Sequence, residues 1–289
     1  MKNTGAILVF VCLLFLFSCK KSVQKPEFPV NCDTFCENTN NLLEKAGFTG
    51  TVLVAQNGEI VFTKGYGLTD SHDLQSSPCD ENTVFEIGSI TKQMTACAIM
   101  QLVEKKKISL DDPITKFLPE LTNFAGRPAT GNTPAHPGIT IRHLLTMRAG
   151  LSDHINVRDN FFTPALLTWL DQFYKEPYSI EQSQELGLTR ELMLSAINEA
   201  PVLAQPGKTY FYSNTSYYLL ALVIEKASGL TYDQYITKNI FKKAGMPSSN
   251  LESGNTTAKG YFNKRPEFLP KSLALGCGDI NSTALDLLN

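Results

Sequence analysis

The segment FEIGSITKQMTACAIM, residues 85–100, places Ser89 and Lys92 three positions apart at the start of an apolar run. Residues three apart on a helix lie on the same face, so the hydroxyl and the amine would point into the same space. A serine beside an amine that can accept its proton is the arrangement of an activated nucleophile. The spacing alone is weak evidence, because the same Ser-x-x-Lys pattern also occurs at residues 18–21 and 22–25.

The ordinary alternative for Ser89 is a helix N-cap, which accepts backbone N–H groups and stabilises a helix by about 1 kcal/mol. The catalytic alternative requires Lys92 to lose its proton near neutral pH. A helix N-terminus disfavours a nearby cation by only ~0.3 to 1 kcal/mol, whereas burial has a much larger effect. The catalytic interpretation therefore requires a buried Lys92 and a second group from elsewhere in the chain.

The segment YFYSN, residues 210–214, could supply that second group. Tyr212 offers a phenol two residues before the amide of Asn214, and the Gln-Pro-Gly sequence at residues 205–207 predicts a turn that presents them to a cleft. If Tyr212 lies near Lys92, neutral lysine with phenol and lysinium with phenolate hold the same number of protons, so the two titrations would be coupled. The ordinary alternative is a helix start capped by Ser213 or Asn214.

Together, these two segments resemble motifs of the serine beta-lactamase and penicillin-binding-protein superfamily, especially its class C-like branch, which also contains D-alanyl-D-alanine peptidases and esterases. The resemblance runs from about residue 43 to residue 289. Other segments follow in the order of that family: GTVLVAQNGEIVFTKGYG, ISLDDPITKFLPEL, ITIRHLLTMRAGL, the residues flanking YFYSN, and FKKAGMPSSN.

The resemblance implies a serine hydrolase that works through an acyl-enzyme and needs no cofactor or metal. Ser89 would be the acylated nucleophile, its backbone N–H one oxyanion donor, and Lys92 its proton acceptor. Tyr212 would relay a proton to the leaving group. Asn214 would bind the carbonyl oxygen of the substrate and steady Lys92. The substrate would be a beta-lactam, a D-Ala-D-Ala-type peptide or an ester.

The sequence departs from the family pattern in two places. Residues 144–151 read LLTMRAGL where the family often has LLTHTSGL, which puts local hydrogen bonding in doubt. The third motif, a Lys or His followed by Ser or Thr and Gly on a C-terminal strand, is not found, and ALGCGDINSTALDLLN resembles the segment before that strand. We therefore expect these residues to be an incomplete part of a longer reading frame. The alternative function is a non-catalytic cell-envelope protein that binds peptides, or an inactive fragment of the same family.

The expected fold class is α/β plus all-α, with an antiparallel sheet flanked by helices, a mostly helical subdomain at about residues 113–259, and the C-terminal strands missing. Asn57-Gly58 lies between two β-rich runs, residues 50–55 and 59–64, and favours a tight hairpin. A helix buried on more than one side is predicted for residues 89–107. Further candidate helices are Thr140–Met147, Pro164–Tyr174, Thr189–Glu199, Ser216–Ser228 and Tyr232–Lys243.

The N-terminus has the layout of an export signal: Lys2 precedes an apolar segment, residues 6–17. That segment is shorter than the ~20 residues needed to span a bilayer. It resembles a bacterial lipoprotein signal, which implies a signal peptide at residues 1–18, lipidation of Cys19, a tether at residues 19–44 and the hydrolase domain at residues 45–289. The alternative is a plain cleaved signal. The lipoprotein interpretation predicts an exported protein, lipid-anchored to a membrane and facing the periplasm or the cell surface.

Composition limits the other possibilities. The chain has 289 residues, 43% apolar and 19% charged, which is the balance of a globular protein with one sizeable core or two subdomains. Its net charge of −2 gives no basic stripe, so nucleic acid is a poor partner. Metal catalysis is also disfavoured, because the histidines lack ligand-like spacing, at His72, His136, His143 and His154.

Overall fold

The computed structural model describes residues 32–126, 137–155, 189–252, 255–262, 265–267 and 271–289. The predicted signal peptide, the predicted lipidation site Cys19 and the predicted helix Pro164–Tyr174 lie outside these residues, and they stay predictions. Within the described ranges, no helix is both long and apolar enough to cross a bilayer.

The described α-helices are short to medium in length and connected by turns. They are α1 (Cys32–Lys45), α2 (Thr91–Glu104), α3 (Ile141–Leu145), α4 (Arg190–Glu199), α5 (Asn214–Ser228), α6 (Tyr232–Ile236), α7 (Lys242–Ala244) and α8 (Lys271–Ala274). A π-helical turn, Thr237–Phe241, joins α6 to α7. Single 3-10 turns lie at Gly88–Ile90, Ile114–Lys116, Thr122–Phe124 and Asp286–Leu288.

The described strands pair in three small antiparallel sheets, β1 with β2, β3 with β6 and β4 with β5. Their bounds are β1 (Gly50–Gln56), β2 (Glu59–Tyr66), β3 (Phe85–Glu86), β4 (Gly260–Phe262), β5 (Arg265–Glu267) and β6 (Asn281–Ser282). The predicted hairpin is confirmed: β1 and β2 pair from Gly50 opposite Tyr66 to Gln56 opposite Glu59.

The hairpin turn has the backbone conformation that its sequence predicts. Asn57 and Gly58 have φ of 55° and 85°, and positive φ at both central positions is the requirement of the two-residue turns that match strand twist. A register shift between Val54 and Ala55 marks a bulge in β1.

The structure corrects the predicted tether for residues 32–44. These residues belong to α1, which lies on β2: the Lys64 ammonium donates to Asn40 and to Glu44 Oε1, the latter at 3.0 Å, and the Tyr66 hydroxyl donates to Asn40 Oδ1 at 3.2 Å. The polar residues of this segment resemble a linker in sequence, but Asn40 and Glu44 form hydrogen bonds that fix α1 against the β1–β2 hairpin. This part of the chain is therefore fixed to the domain.

Helices α2 and α5 form the centre of the core. Ala98, Ile99 and Leu102 of α2 are buried, and α5 is buried from Asn214 to Ile224. The N-terminus of each helix carries residues of the two candidate motifs. The packing of these helices therefore decides how the motifs meet.

The prediction that α2 is buried on more than one side is wrong for the described structure. Ile90 and Met100 are 41% and 47% exposed, and Cys97 is exposed as well. At 100° per residue, these side chains lie together on the face opposite the buried one. The second apolar face of the sequence pattern is thus open to solvent.

Helix α2 ends in a Schellman motif with an unusual residue at its left-handed position. The N–H of Lys106 donates to Val103 O at 2.8 Å and that of Lys107 to Leu102 O at 2.9 Å, while Lys106 has φ of 56°. Glycine normally takes this position, because a Cβ is strained there.

We expect Lys106→Gly to raise the free energy of unfolding by about 0.5 to 1 kcal/mol, because the relief of this strain exceeds the added freedom of the unfolded chain. Urea denaturation measures it. The matched control is Lys105→Gly, where φ is −76° and glycine should destabilise by about the same amount. A loss of stability in Lys106→Gly would contradict the prediction.

Candidate active site

Ser89 lies just before α2 and does not cap it. Gly88, with φ of 50°, begins a 3-10 turn, and α2 follows from Thr91 with no side chain bonded at its N-cap. The Ser89 Oγ atom lies 2.6 Å from Tyr212 Oη and 2.9 Å from Lys92 Nζ. The hydroxyl therefore faces the two other candidate groups, and the N-cap alternative for Ser89 is wrong.

Lys92 is buried, with 6% of its surface exposed. Its Nζ lies 2.7 Å from Asn214 Oδ1, 2.7 Å from the Cys277 carbonyl oxygen and 2.9 Å from Ser89 Oγ. The first two oxygens only accept, so the amine donates to both. A neutral amine would still have a lone pair for the proton of Ser89. The same contacts also fit an ammonium that donates three times, so a proton can move between Ser89 and Lys92 with little rearrangement.

Two aromatic rings flank the amine. Lys92 Nζ lies 5.0 Å from the ring centroid of Tyr212 and 5.9 Å from that of Tyr217. Aromatic faces favour the charged ammonium, whereas burial favours the neutral amine. Tyr212 is 43% exposed, so its phenol stands between the buried amine and the solvent side of the site.

The two residues at the start of α5 have different roles: Ser213 caps the helix, and Asn214 contacts Lys92. Ser213 is the N-cap: its Oγ accepts the N–H of Ser216 at 3.2 Å and donates to Ser152 O at 3.2 Å. The N-cap alternative is therefore correct for Ser213. Asn214 begins α5 and directs Oδ1 to Lys92, while its Nδ2 donates to Asp153 at 3.0 and 2.9 Å. The carbonyl end of this buried amide thus bonds to Lys92, and its NH₂ end bonds to Asp153.

The segment that departs from LLTHTSGL holds Tyr212 in place through its backbone. The N–H of Phe211 donates to Met147 O at 2.9 Å, and that of Gly207 donates to Arg148 O at 2.8 Å. Met147 has φ of 53°, a left-handed conformation that is rare for its residue type. Because these bonds use main-chain atoms, they form despite the altered side chains.

Sequence reasoning missed two groups of the site. Cys277 contributes only its carbonyl oxygen, which any residue type provides, so no sequence signal could identify it. Gly276 lets this loop approach α5, since a Cβ there would lie 2.6 Å from Ala221 Cβ. Asp153, two residues after the LLTMRAGL segment, accepts from Asn214. Its position beside a recognised segment was the available signal.

A fully buried histidine, His154, follows Asp153 in the chain and contacts Thr215, the residue after Asn214. Its Nε2 lies 2.7 Å from Leu273 O and its Nδ1 3.1 Å from Thr215 Oγ1. A carbonyl only accepts, so Nε2 carries the hydrogen, and burial lowers the pKa of His154, which keeps the ring neutral. In the described ranges, no group of three or more His, Cys, Asp and Glu could hold a metal ion.

Comparisons with known proteins identify relatives of this chain. A family model described as Beta-lactamase matches residues 37–289. The chain is 31% identical over 278 residues to PbpX of Bacillus subtilis (strain 168), a relative named as a penicillin-binding protein. The alignment covers 93% of this chain and 60% of PbpX. The chain thus spans less than two thirds of the length of this curated relative.

Solved structures show the same fold. The octameric penicillin-binding protein homologue from Pyrococcus abyssi has a TM-score of 0.63 at 29% identity, over 89% of this chain and 54% of that one. A class C beta-lactamase in complex with cefoxitin has a TM-score of 0.64 at 22% identity, over 89% and 63%. The second likeness concerns the fold alone. The predicted beta-lactamase-like fold class is confirmed.

Proposed function

The chain belongs to the beta-lactamase family, and on that premise we propose that it is a serine hydrolase that forms an acyl-enzyme on Ser89. The observation that carries the proposal is the set of short contacts from Ser89 Oγ, 2.9 Å to Lys92 Nζ and 2.6 Å to Tyr212 Oη. A nucleophile within hydrogen-bond reach of a base that is itself oriented by a third group is the signature of covalent catalysis. Here Asn214 and the Cys277 carbonyl orient the base.

The reaction follows from these contacts. Ser89 Oγ would attack the carbonyl carbon of an amide or ester while its proton passes to the neutral amine of Lys92, or to Tyr212 where the pair is lysinium and phenolate. The same proton would reach the leaving group through the Tyr212 hydroxyl as the bond to that group breaks. Water would then attack the acyl carbon, give one proton back to Ser89 Oγ and release the acyl group as an acid. Because both ends of the Asn214 amide are engaged, the geometry favours its role in steadying Lys92 over direct contact with substrate.

The substrate class remains a choice among a beta-lactam, a D-Ala-D-Ala-type peptide and an ester, which all need the same catalytic set. The penicillin-binding proteins among the relatives support the first two. Rapid turnover of nitrocefin would identify a beta-lactamase. Slow trapping of a penicillin together with ester turnover would identify a peptidase or esterase.

We expect a fluorophosphonate or a fluorescent penicillin to label the protein on Ser89 and the label to disappear in Ser89→Ala. Intact-protein mass spectrometry reads the adduct. The matched control is Ser213→Ala in the second motif, which loses an N-cap bond and about 1 kcal/mol of stability but should keep the label. Labelling of folded Ser89→Ala would refute the proposal. Reversible binding of a stem peptide without any adduct would support the non-catalytic alternative.

A further inference from the structure

The carboxylate of Asp153 faces the side-chain amide of Asn214, behind the base. Asn214 Nδ2 lies 3.0 Å from Asp153 Oδ1 and 2.9 Å from Oδ2, and Asp153 is only 5% exposed. The other end of the same amide contacts Lys92 at 2.7 Å. We propose that Asp153 is a positioning residue that fixes the Asn214 amide with its carbonyl toward Lys92. The inference rests on the proposed function of Ser89 and Lys92.

The physical basis is the difference between the two ends of an amide. The NH₂ and C=O ends have nearly the same shape, so packing alone does not choose between the two orientations. An ionised carboxylate only accepts hydrogen bonds. With Asp153 on one side, only one orientation satisfies both ends; the other would set carbonyl against carboxylate and NH₂ against the Lys92 amine.

A purely local role for Asp153 would be a turn. Its Oδ1 accepts the N–H of Ile155 at 2.9 Å, which is an Asx turn that asparagine makes equally well. Oδ2 is not used by that turn bond, and it lies 2.9 Å from Asn214. The turn and the positioning role therefore respond differently to the change from aspartate to asparagine.

Asp153 also affects the charge of the base. Among the described residues, the other titratable groups near Lys92 include the phenols of Tyr212 and Tyr217, the His154 ring and the Cys277 thiol. Burial lowers the pKa of His154 and raises the pKa of both Tyr217 and Cys277, so these three stay neutral near pH 7. Asp153→Asn therefore removes a carboxyl group whose charge is separated from Lys92 only by the Asn214 amide.

The first test is Asp153→Asn. The new amide can keep the turn bond and the 3.0 Å bond from Asn214 through its Oδ1, but its NH₂ then lies where Oδ2 was, 2.9 Å from the NH₂ of Asn214. Two donors face each other there, so the present orientation of the Asn214 amide loses much of its advantage over the reversed one. We expect acylation by a fluorophosphonate to slow by about 10- to 100-fold, the usual effect of losing an outer-shell partner. The acidic limb of its pH–rate profile should move to lower pH, because a negative charge near the base is gone.

Asp70→Asn is the matched control. Asp70 is equally buried, 6% exposed, and accepts from Tyr261 and from the His72 backbone rather than from the site. The same chemical change there should leave the rate and profile of acylation unchanged.

The second test needs no substrate. The titration of Lys92, followed by carbon-13 signals of its ε-methylene, should move to lower pH in Asp153→Asn and not in Asp70→Asn. In the exchanged double variant Asp153→Asn with Asn214→Asp, an amide again faces a carboxylate, and the carboxylate now touches Lys92. That variant should fold, and its Lys92 should titrate at higher pH than in the wild type.

These outcomes separate the two proposals. If the wild type forms no adduct but Lys92 titrates as expected in the variants, the proposed function fails and the positioning role stands. If the Lys92 titration in Asp153→Asn matches that of the wild type, or if the exchanged variant does not move it upward, the positioning role is overturned. If Asp153→Asn fails to fold, the Lys92 titration in the exchanged variant Asp153→Asn with Asn214→Asp tests the positioning role by itself.

Discussion

Replacing Asp279 with asparagine is expected to raise the free energy of unfolding at pH 8 by about 2 to 4 kcal/mol. The Asp279 Oδ1 atom accepts the Gly276 N–H at 3.0 Å, but Oδ2 is buried and makes no hydrogen bond with any described residue. Burial raises the pKa of this carboxyl from its ordinary 3.8 to about 7. A shift of that size corresponds to about 4 kcal/mol of cost for the charged form, and an amide in the same place has no charge to bury.

The direction of the pH dependence follows from the raised pKa. The folded state holds this proton more tightly than the unfolded state, so its contribution to stability is complete below about pH 4. It falls as the pH rises toward about 7 and stays low above that. The difference in unfolding free energy between Asp279→Asn and the wild type should therefore grow from pH 4 to pH 7 and then level off.

Urea denaturation at several pH values measures this difference. Asp286→Asn is the matched control: this carboxylate is also buried but accepts from the Ser248 N–H at 2.9 Å and the Ser249 hydroxyl at 2.7 Å. There asparagine should destabilise by about 1 kcal/mol, because an engaged acceptor is lost. A pH-independent difference for Asp279→Asn would show that its carboxyl is ionised at no unusual cost.

The second large effect concerns Lys92, the proposed base. Lys92→Met should slow acylation of Ser89 by about 10⁴-fold or more, since the members of a catalytic set act as a unit. Methionine fills a similar volume without a charge, but Asn214 Oδ1 and the Cys277 carbonyl lose their donor. Each unsatisfied oxygen costs about 1 to 3 kcal/mol, partly offset by removal of a buried amine.

Time-resolved fluorophosphonate labelling measures the rate, and a melting curve confirms that the variant is folded at the assay temperature. Lys105→Met, just beyond the C-terminal end of α2, is the control, because Lys105 is exposed and should not affect labelling. A folded Lys92→Met protein that is labelled within tenfold of the wild-type rate would exclude Lys92 as the base.

Local chemistry made parts of the fold and site predictable. Asn57-Gly58 predicts the hairpin because the turn type depends on the φ preferences of those two residues. Ser89, Lys92, Tyr212 and Asn214 could be selected because reactive side-chain types recur at family spacing, and the structure brings all four into contact. These features depend on residue type, which sequence records directly.

Other parts depend on contacts that residue type does not record. The Cys277 carbonyl belongs to the site only because Gly276 lies against α5. Residues 32–44 look like a polar linker, yet Asn40 and Glu44 meet the hairpin. In both places, the role of the residues depends on contacts with a segment that is distant in the sequence, and a local pattern does not show those contacts.

Helix α2 carries an exposed cysteine, Cys97, on the face away from Lys92, and this thiol is a site for a spectroscopic label. Lys92 and Cys97 are five positions apart, which sets them about 140° apart around one rigid helix. The Cys97 thiol is exposed, whereas the thiols of Cys79 and Cys277 are buried. A dye or spin label on Cys97 would move with α2 while pointing away from the side on which Lys92 contacts Ser89.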